Sequence, residues 1–111
     1  MNRILKRADF LAAAKAARAH AALFSLQARD RGDQGDVRLG LTVTKKVGNA
    51  VERNRIRRRL RAAARAVLPQ AGKGGFDYVV VARRAALTAG FSELASGLEN
   101  TIKQVHKTRR S

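Results

Sequence analysis

The sequence predicts an α+β fold in which helices pack on one small sheet as a two-layer sandwich. Residues 38–44 and 76–83 have the apolar patterns of strands, and a weaker alternation covers residues 23–28. Other segments repeat apolar residues every three or four positions, as helices do. Along the chain these patterns give the order α-β-β-α-β-α. The length of 111 residues fits one domain, so we expect a single domain over residues 1–111 with a flexible basic tail at 107–111.

The first half of the chain contains the first helix and two strands. Residues 7–18 are rich in Ala, with Phe10 and Leu11 as the only large apolar side chains, and this composition predicts a short helix. Residues 23–28 and 38–44 alternate as strands do, the second more cleanly than the first. The alternate residues that define one side of each strand are Phe24, Leu26, Ala28, Leu39, Leu41 and Val43.

A long helix, a strand and a closing helix follow in the second half. Asn49 can cap the long helix, because Glu52 lies three residues later and can reach back in a capping box. Pro69 and Gly72 are expected to end this helix, which assigns it residues 49–68. The strand after it contains three consecutive valines, which suit a central position in a sheet. The apolar residues of the closing helix recur at spacings of three and four: Phe91, Leu94, Leu98, Ile102 and Val105.

The charge balance of the chain restricts its partners. There are 24 Lys and Arg against 8 Asp and Glu, a formal net charge of +16. This excess favours nucleic acid as the partner, with an anionic membrane surface as the second possibility. The absence of cysteine excludes disulfides, thiolate zinc sites and a cysteine nucleophile. No apolar run reaches the roughly 18 to 20 residues of a membrane span, and residues 1–15 lack the apolar segment of a secretory signal, so we expect a cytoplasmic protein.

The long helix and the residues before it form the most informative segment. Residues 45–65 carry nine basic residues and a single acid, Glu52. At 100° per residue, the face expected to lie on the sheet is Ile56, Leu60, Ala63, Ala64 and Val67, and the opposite face is Asn54, Arg58, Arg61 and Arg65. A guanidinium group can bind a phosphate through two hydrogen bonds, so arginines at one-turn intervals suit successive phosphates. A merely solvated face is disfavoured, because such faces mix both signs of charge.

Residues 44–58, with the sequence TKKVGNAVERNRIRR, resemble the signature of the bacterial ribonuclease P protein subunit, including its Arg-Asn-Arg helix. The similarity extends to LKRADF at residues 5–10, to RLGLTVT at residues 38–44 and to FDYVVV at residues 76–81. It covers nearly the whole chain. On this basis the protein is identified as a member of that family.

The resemblance implies a function and a fold detail. It implies an RNA-binding subunit of a ribonucleoprotein endonuclease that removes the 5′ leader of precursor tRNA. The catalytic centre and the functional Mg²⁺ are expected on the RNA subunit, with no catalytic or metal-binding side chain in this chain. The implied partners are the ribonuclease P catalytic RNA and precursor tRNA, and no DNA is expected. The implied β-α-β crossover around the basic helix is left-handed, against the usual rule.

The resemblance also implies site residues. The implied RNA-facing set is Lys45, Lys46, Arg53, Asn54, Arg55, Arg58, Arg61 and Arg65. A cleft between the first helix and the sheet is expected to hold the leader with Phe10, Phe24 and Thr44. Bases of single-stranded RNA stack on aromatic rings, but Phe10 and Phe24 fit core positions equally well. Ala14 stands where relatives often carry Phe, and Gln27 where some relatives carry Tyr, so this cleft is poorer in aromatic residues.

Three other classes of protein are alternatives to this interpretation. The main alternative is a ribosomal-type structural RNA-binding protein of similar size and charge. A helix-turn-helix DNA-binding protein is disfavoured, because a strand and Lys-Lys-Val-Gly precede the basic helix instead of a short helix and a turn. A protein-only nuclease needs a metal-binding carboxylate cluster, and Asp30, Asp33 and Asp36 lack the alternate spacing of a calcium loop.

Overall fold

Helices cover both faces of one sheet in a computed structural model, which describes residues 1–109, with side chains through Lys107. The predicted α+β class is confirmed, but helices lie on both faces of the sheet instead of forming the predicted two-layer sandwich. The strands are β1 (Asn2–Arg3), β2 (Ala17–His20), β3 (Phe24–Asp30), β4 (Arg38–Thr42) and β5 (Phe76–Ala82). The helices are α1 (Arg7–Ala14), α2 (Ala50–Ala71) and α3 (Phe91–Arg109), and a 3₁₀ turn at Arg84–Leu87 follows β5.

The strands of the described residues form one sheet in the order β1-β4-β5-β3-β2. Strands β4 and β5 are parallel neighbours, with Arg38 opposite Asp77, and α2 connects them. Strand β3 pairs with β5 and β2 with β3, both antiparallel, and β1 is parallel to β4. Helix α2 therefore follows the carboxyl end of β4 after a connection of seven residues, 43–49. The left-handed sense of this crossover stays a prediction.

The two faces of the sheet carry different cores. Helices α2 and α3 cover one face, where the largest fully buried side chains are Tyr78, Phe24, Leu26, Ile56, Leu60, Leu68, Leu94, Leu98, Ile102, Val80 and Val105. The short helix α1 lies on the opposite face, where Ile4, Ala13 and Val79 are buried and Phe10 packs beside them. The sheet thus separates a large core from a small one, and only the small core involves α1.

Phe24 belongs to the large core, so its predicted place in a leader cleft beside α1 is wrong. Its side chain is 0% exposed, and a methyl carbon at Gly97 of α3 would lie 3.5 Å from Phe24 Cζ. The reason is the alternation of β3, which puts Phe24 on the same face as Leu26 and Ala28. Helix α1 packs on the other face of the sheet.

Two strands were not predicted, and the first helix is shorter than predicted. Helix α1 ends at Ala14 instead of residue 18, because residues 17–20 form β2 and pair with β3. This edge strand is Ala-rich, so pairing with a neighbour overrides the helical preference of its sequence. Strand β1 has only two residues, with Ile4 N–H donating to Leu39 O at 2.9 Å just beyond it.

The ends of the other elements differ by a few residues from the prediction. Helix α2 does not stop before Pro69 but continues to Ala71. Pro69 lies in the last turn, where its missing N–H costs a single helical hydrogen bond, and Gly72 N–H still donates to Leu68 O at 2.9 Å. Helix α3 runs through Arg109, whereas residues 110 and 111 of the predicted flexible tail lie outside the described residues. None of the described helices is both long and apolar enough to cross a membrane.

Candidate nucleic-acid interface

The N-terminus of α2 is held by the predicted capping box. Asn49 Oδ1 accepts a hydrogen bond from Glu52 N–H at 2.9 Å, and Glu52 Oε1 accepts one from Asn49 N–H at 3.0 Å. Arg84, from the 3₁₀ turn, donates to Glu52 Oε2 at 2.9 Å and to Val47 O at 2.8 Å. Glu52 is the single acid of residues 45–65. These contacts neutralise its charge, so it does not offset the surrounding basic residues.

Gly48 allows this arrangement because it has no side chain. A Cβ at this position would lie 2.6 Å from Glu52 Oε1 and 2.9 Å from Arg84 Nη1, which is closer than atoms can approach. Any larger residue would push the ion pair away from the start of α2. Glycine therefore lets these two flexible charged side chains lie close to the backbone.

Removal of Arg84 is expected to raise the pKa of Glu52. The hydrogen bond from the Arg84 side chain, followed by the one from Asn49 N–H, holds that pKa below its usual value. In Arg84→Ala the larger cause is lost, so NMR titration of the Glu52 carboxyl should give a pKa closer to the ordinary one. Arg83→Ala is the matched control, because Arg83 contacts Ser25 at 3.4 Å instead of Glu52. An equal pKa in Arg84→Ala and wild type would contradict the ion pair.

The residues predicted to face RNA lie in the turn before α2 and along the helix as far as Arg65. Lys45 and Lys46 are exposed in that turn, where Val47 N–H donates to Thr44 O at 3.0 Å. Along α2, the exposed members of the set are Asn54, Arg55, Arg58 and Arg65, and the half-buried members are Arg53 and Arg61. The Nε of Arg53 is buried and has no hydrogen-bond partner in the described part of the chain.

Two further arginines of α2 are fixed by backbone carbonyls. Arg57 donates to Asn54 Oδ1 at 3.1 Å and to Val43 O at 3.4 Å, so Asn54 orients a neighbouring guanidinium group. Arg59 donates to Ala86 O at 3.3 Å and thereby ties α2 to the 3₁₀ turn. Arg57 consequently extends along the edge of β4, whereas Arg59 is directed towards the opposite side of the helix.

A groove of about 290 Å³ lies between α2 and the N-terminal segment. The residues that line it are Met1, Arg3, Ile4, Phe10, Leu39, Gly40, Leu41, Arg57, Arg61 and Arg65. It brings together the predicted residues Phe10, Arg61 and Arg65 with Arg3 and Arg57, which were not predicted. No acid is among these lining residues of the described chain, so the groove is strongly cationic. Spacing in steps of four along α2 could have indicated Arg57, but no sequence signal indicated Arg3.

The arginines of this groove repel one another. Burial, and then the charges of Arg3, Arg57 and Arg65, lower the pKa of Arg61. Arginine nevertheless stays charged at neutral pH. An anion in the groove would relieve this repulsion, so the groove has the electrostatic character of a phosphate site.

Phe10 forms the aromatic part of the groove wall. A Cβ at Gly40 would lie 2.6 Å from Phe10 Cε1 and 3.1 Å from Ile4 Cδ1, so the ring rests directly on the backbone of β4. The ring is half-buried, which means that it serves the small core and also faces the groove. Thr44, the other remaining cleft candidate, is exposed beyond β4 and does not line the groove.

A buried ion cluster under α1 was not predicted. The Asp77 side chain is 0% exposed and accepts hydrogen bonds from Arg38 Nε at 2.7 Å, Arg38 Nη2 at 2.7 Å and Arg31 Nη1 at 2.7 Å. Burial by itself raises the pKa of Asp77, but the hydrogen bonds from Arg38 and then Arg31 outweigh burial and lower it. A carboxylate locked in this way is suited to structure and not to proton transfer.

The acidic loop between β3 and β4 has a structural role. Asp30 Oδ1 accepts from Gly32 N–H and Asp33 Oδ1 accepts from Gly35 N–H, each at 2.9 Å, as in Asx turns. Asp33 also pairs with Arg31 at 3.1 Å. Two of the three loop carboxylates therefore stabilise turns.

Comparison with known proteins gives a consistent result. The family model described as Ribonuclease P matches residues 1–106. The ribonuclease P protein component of Ruegeria pomeroyi is 46% identical over 104 residues, which covers 91% of this chain and 83% of that protein. The one from Bartonella quintana is 44% identical over 114 residues, with 97% and 86% covered.

Solved structures show the same similarity. The RNase P protein of Staphylococcus aureus aligns with a TM-score of 0.76 and 30% identity, covering 93% of this chain and 94% of that one. The RNase P protein of Thermotoga maritima aligns with a TM-score of 0.79 and 27% identity, covering 95% and 98%.

Proposed function

This chain belongs to the ribonuclease P protein family, and from that premise we propose that it docks on the catalytic RNA through α2 and holds the 5′ leader of precursor tRNA. As a ribonuclease P protein component, it is part of an endoribonuclease. We propose that it acts in the cytoplasm. The observation that carries the proposal is the groove beside α2, whose lining in the described part of the chain holds four arginines and no acid. The family assignment disfavours the ribosomal-type alternative.

Docking on structured RNA is supported by the chemistry of α2. Arg58 and Arg65 are exposed and Arg61 is half-buried, and guanidinium groups bind phosphates through two parallel hydrogen bonds. Lys45 and Lys46 flank the N-terminus of the helix, where free N–H groups and the helix dipole attract anions. The hydrogen bonds from Asn49 N–H and Arg84 neutralise Glu52. The N-terminus of α2 is therefore available to a phosphate.

Contact with the leader is supported by Phe10. Single-stranded RNA needs a cationic channel together with aromatic surfaces on which bases stack. Phe10 offers a half-buried ring beside Arg57, Arg61 and Arg65 in the same groove. Thr44 stays a predicted leader contact, whereas the buried Phe24 no longer belongs to the set.

The Mg²⁺ of the reaction is proposed to be bound on the RNA. The cationic groove fits an anion and repels a divalent cation, so its residues do not suit Mg²⁺ ligation. We assign no catalytic side chain to this chain. Its proposed contribution is to screen phosphates and position the leader, which allows the RNA to bind its own metal ions at lower Mg²⁺ concentrations.

Reconstitution with the catalytic RNA tests this function. Adding the protein to ribonuclease P RNA and precursor tRNA is expected to lower the Mg²⁺ concentration needed for half-maximal cleavage, with cleavage at the mature 5′ end. Cleavage position is read on a sequencing gel across a Mg²⁺ series. The control is the RNA alone with spermidine added, which supplies positive charge without a groove. No change in Mg²⁺ demand relative to that control would contradict the proposal.

A further inference from the structure

A chain of ion pairs joins α1 to the sheet. Arg29 Nη1 lies 3.0 Å from Asp9 Oδ1, and Arg38 Nη2 lies 3.4 Å from Asp9 Oδ2. Both arginines also reach the buried Asp77, Arg38 at 2.7 Å and Arg29 at 3.7 Å. We call Asp9, Arg29, Arg38 and Asp77 the α1 clamp. Two carboxylates thus share two arginines, and only Asp9 belongs to the helix.

Helix α1 has few other contacts that could hold it in place. It has eight residues, its N-cap residue Lys6 makes no side-chain capping bond, and Ala13 is its only fully buried side chain among the described residues. Eight residues are too few for a helix that is stable on its own. The position of α1 therefore depends on the clamp at one end and on the ring of Phe10 against the sheet.

The α1 clamp is adjacent in sequence to Phe10, the aromatic residue of the groove. Asp9 directly precedes Phe10, and the ring of Phe10 rests on Gly40 of β4, the strand that also carries Arg38. A shift of Asp9 would move the Phe10 backbone with it. Arg57, Arg61 and Arg65 lie on α2, which the clamp does not touch.

We propose that Asp9 is a positioning residue, which the α1 clamp holds so that Phe10 presents its ring to the single-stranded leader. The proposal rests on the proposed function, because it takes Phe10 as a leader contact. It separates two tasks within the protein. The clamp acts on leader recognition through Phe10 alone, whereas the arginines of α2 contribute both to docking on the catalytic RNA and to the cationic wall of the groove.

A double-mutant cycle in the reconstituted holoenzyme tests this role. KM is measured for two precursor tRNAs, one with a long leader and one with a leader of a single nucleotide. Phe10→Ala is expected to raise KM for the long leader at least about fivefold, since one stacked base is lost. Asp9→Asn is expected to raise it about two- to fivefold, the range for a partly exposed ion pair. The double variant should be no worse than Phe10→Ala, because Asp9 acts through that ring.

Companion variants separate positioning from folding. Asp9→Glu keeps the charge and should recover part of the increase in KM for the long leader. Arg29→Gln should raise this KM as Asp9→Asn does, while Asp77 keeps its ion pairs with Arg31 and Arg38. Glu99→Gln is the matched control, because Glu99 pairs with Lys103 on α3 at 3.1 Å. Thermal unfolding and affinity for the catalytic RNA are measured for every variant. The affinity should change little in all of them, and thermal unfolding should change little in the variants that keep Phe10, whose ring is part of the small core.

Each of five results would overturn the proposal. Additive losses in the double variant would mean that Asp9 acts independently of Phe10. Equal losses for both substrates, or a parallel loss of catalytic-RNA affinity, would reduce the clamp to a general structural role. If Phe10→Ala has the KM of wild type for the long leader, Phe10 is not a leader contact and Asp9 has no ring to position. If Phe10→Ala raises this KM but Asp9→Asn does not, only the positioning role of Asp9 is contradicted.

Discussion

Replacing Arg58 and Arg61 together by alanine is expected to weaken binding to the catalytic RNA about 40-fold at 0.1 M salt. The logarithm of the binding constant falls as log salt rises, and each lost phosphate contact reduces the steepness of this fall by about 0.7 to 0.9. The loss of two contacts therefore reduces the steepness by about 1.6. If the variant and wild type bind equally at 1 M salt, their affinities differ about 40-fold at 0.1 M salt. Filter binding across a salt series measures both quantities.

The matched control removes two positive charges elsewhere. Lys103→Ala with Lys107→Ala changes two exposed residues of α3, so it lowers the net charge equally without altering the surface of α2. We expect a smaller loss of affinity and a smaller change in slope. If both double variants shift the slope equally, the binding is a general attraction to a cationic protein, and the surface of α2 has no special part in it.

The central elements could be predicted because several local signals agree in each of them. Helix α2 has an apolar stripe and a capping box, and the structure contains both. Strand β5 has three consecutive valines and lies in the middle of the sheet, between β4 and β3. In such segments the local preference and the tertiary partner favour the same conformation, so sequence alone is sufficient.

The edge strands could not be predicted because their conformation depends on a partner. Strand β2 is Ala17–His20, whose composition suits a helix, and it is extended because it pairs with β3. Strand β1 has two residues, too few for any periodic signal. The prediction that α2 ends before Pro69 was wrong for a different reason, because a proline in the last turn of a helix removes only one hydrogen bond.

Of the residues that line the groove, the sequence analysis names Phe10, Arg61 and Arg65 and misses Arg3 and Arg57; their contact with RNA stays a prediction. The arginines of α2 follow from one helical pattern, but Arg3 reaches the groove from β1, and Asp77 meets Arg31 and Arg38 only through the sheet. Phe24 was placed wrongly although the alternation of β3 already indicated its face. The missing information was which face α1 covers, and this depends on the three-dimensional packing.

Replacing Asp77 by asparagine is expected to lower the free energy of unfolding at neutral pH by about 3 kcal/mol, the lower end of the range for removing one partner of a buried ion pair. Asparagine has the same shape, but its NH₂ group would face the guanidinium donors of Arg31 and Arg38, which then lose their counter-charge. Urea unfolding at pH 7 measures the change. Asp33→Asn is the control, because Asp33 also pairs with Arg31 but is exposed, and it should unfold close to wild type.

The pH dependence of this difference identifies the charge as its cause. The pKa of Asp77 is lowered in the folded state, so the unfolded chain takes up a proton first as the pH falls below about 4. The stabilisation is therefore fully present above about pH 5 and disappears as the pH falls through the folded-state pKa. The gap between wild type and Asp77→Asn should be constant from pH 7 to 5 and narrow below pH 4. A gap that stays constant down to pH 2.5 would mean that the charge of Asp77 is not the source of the stabilisation.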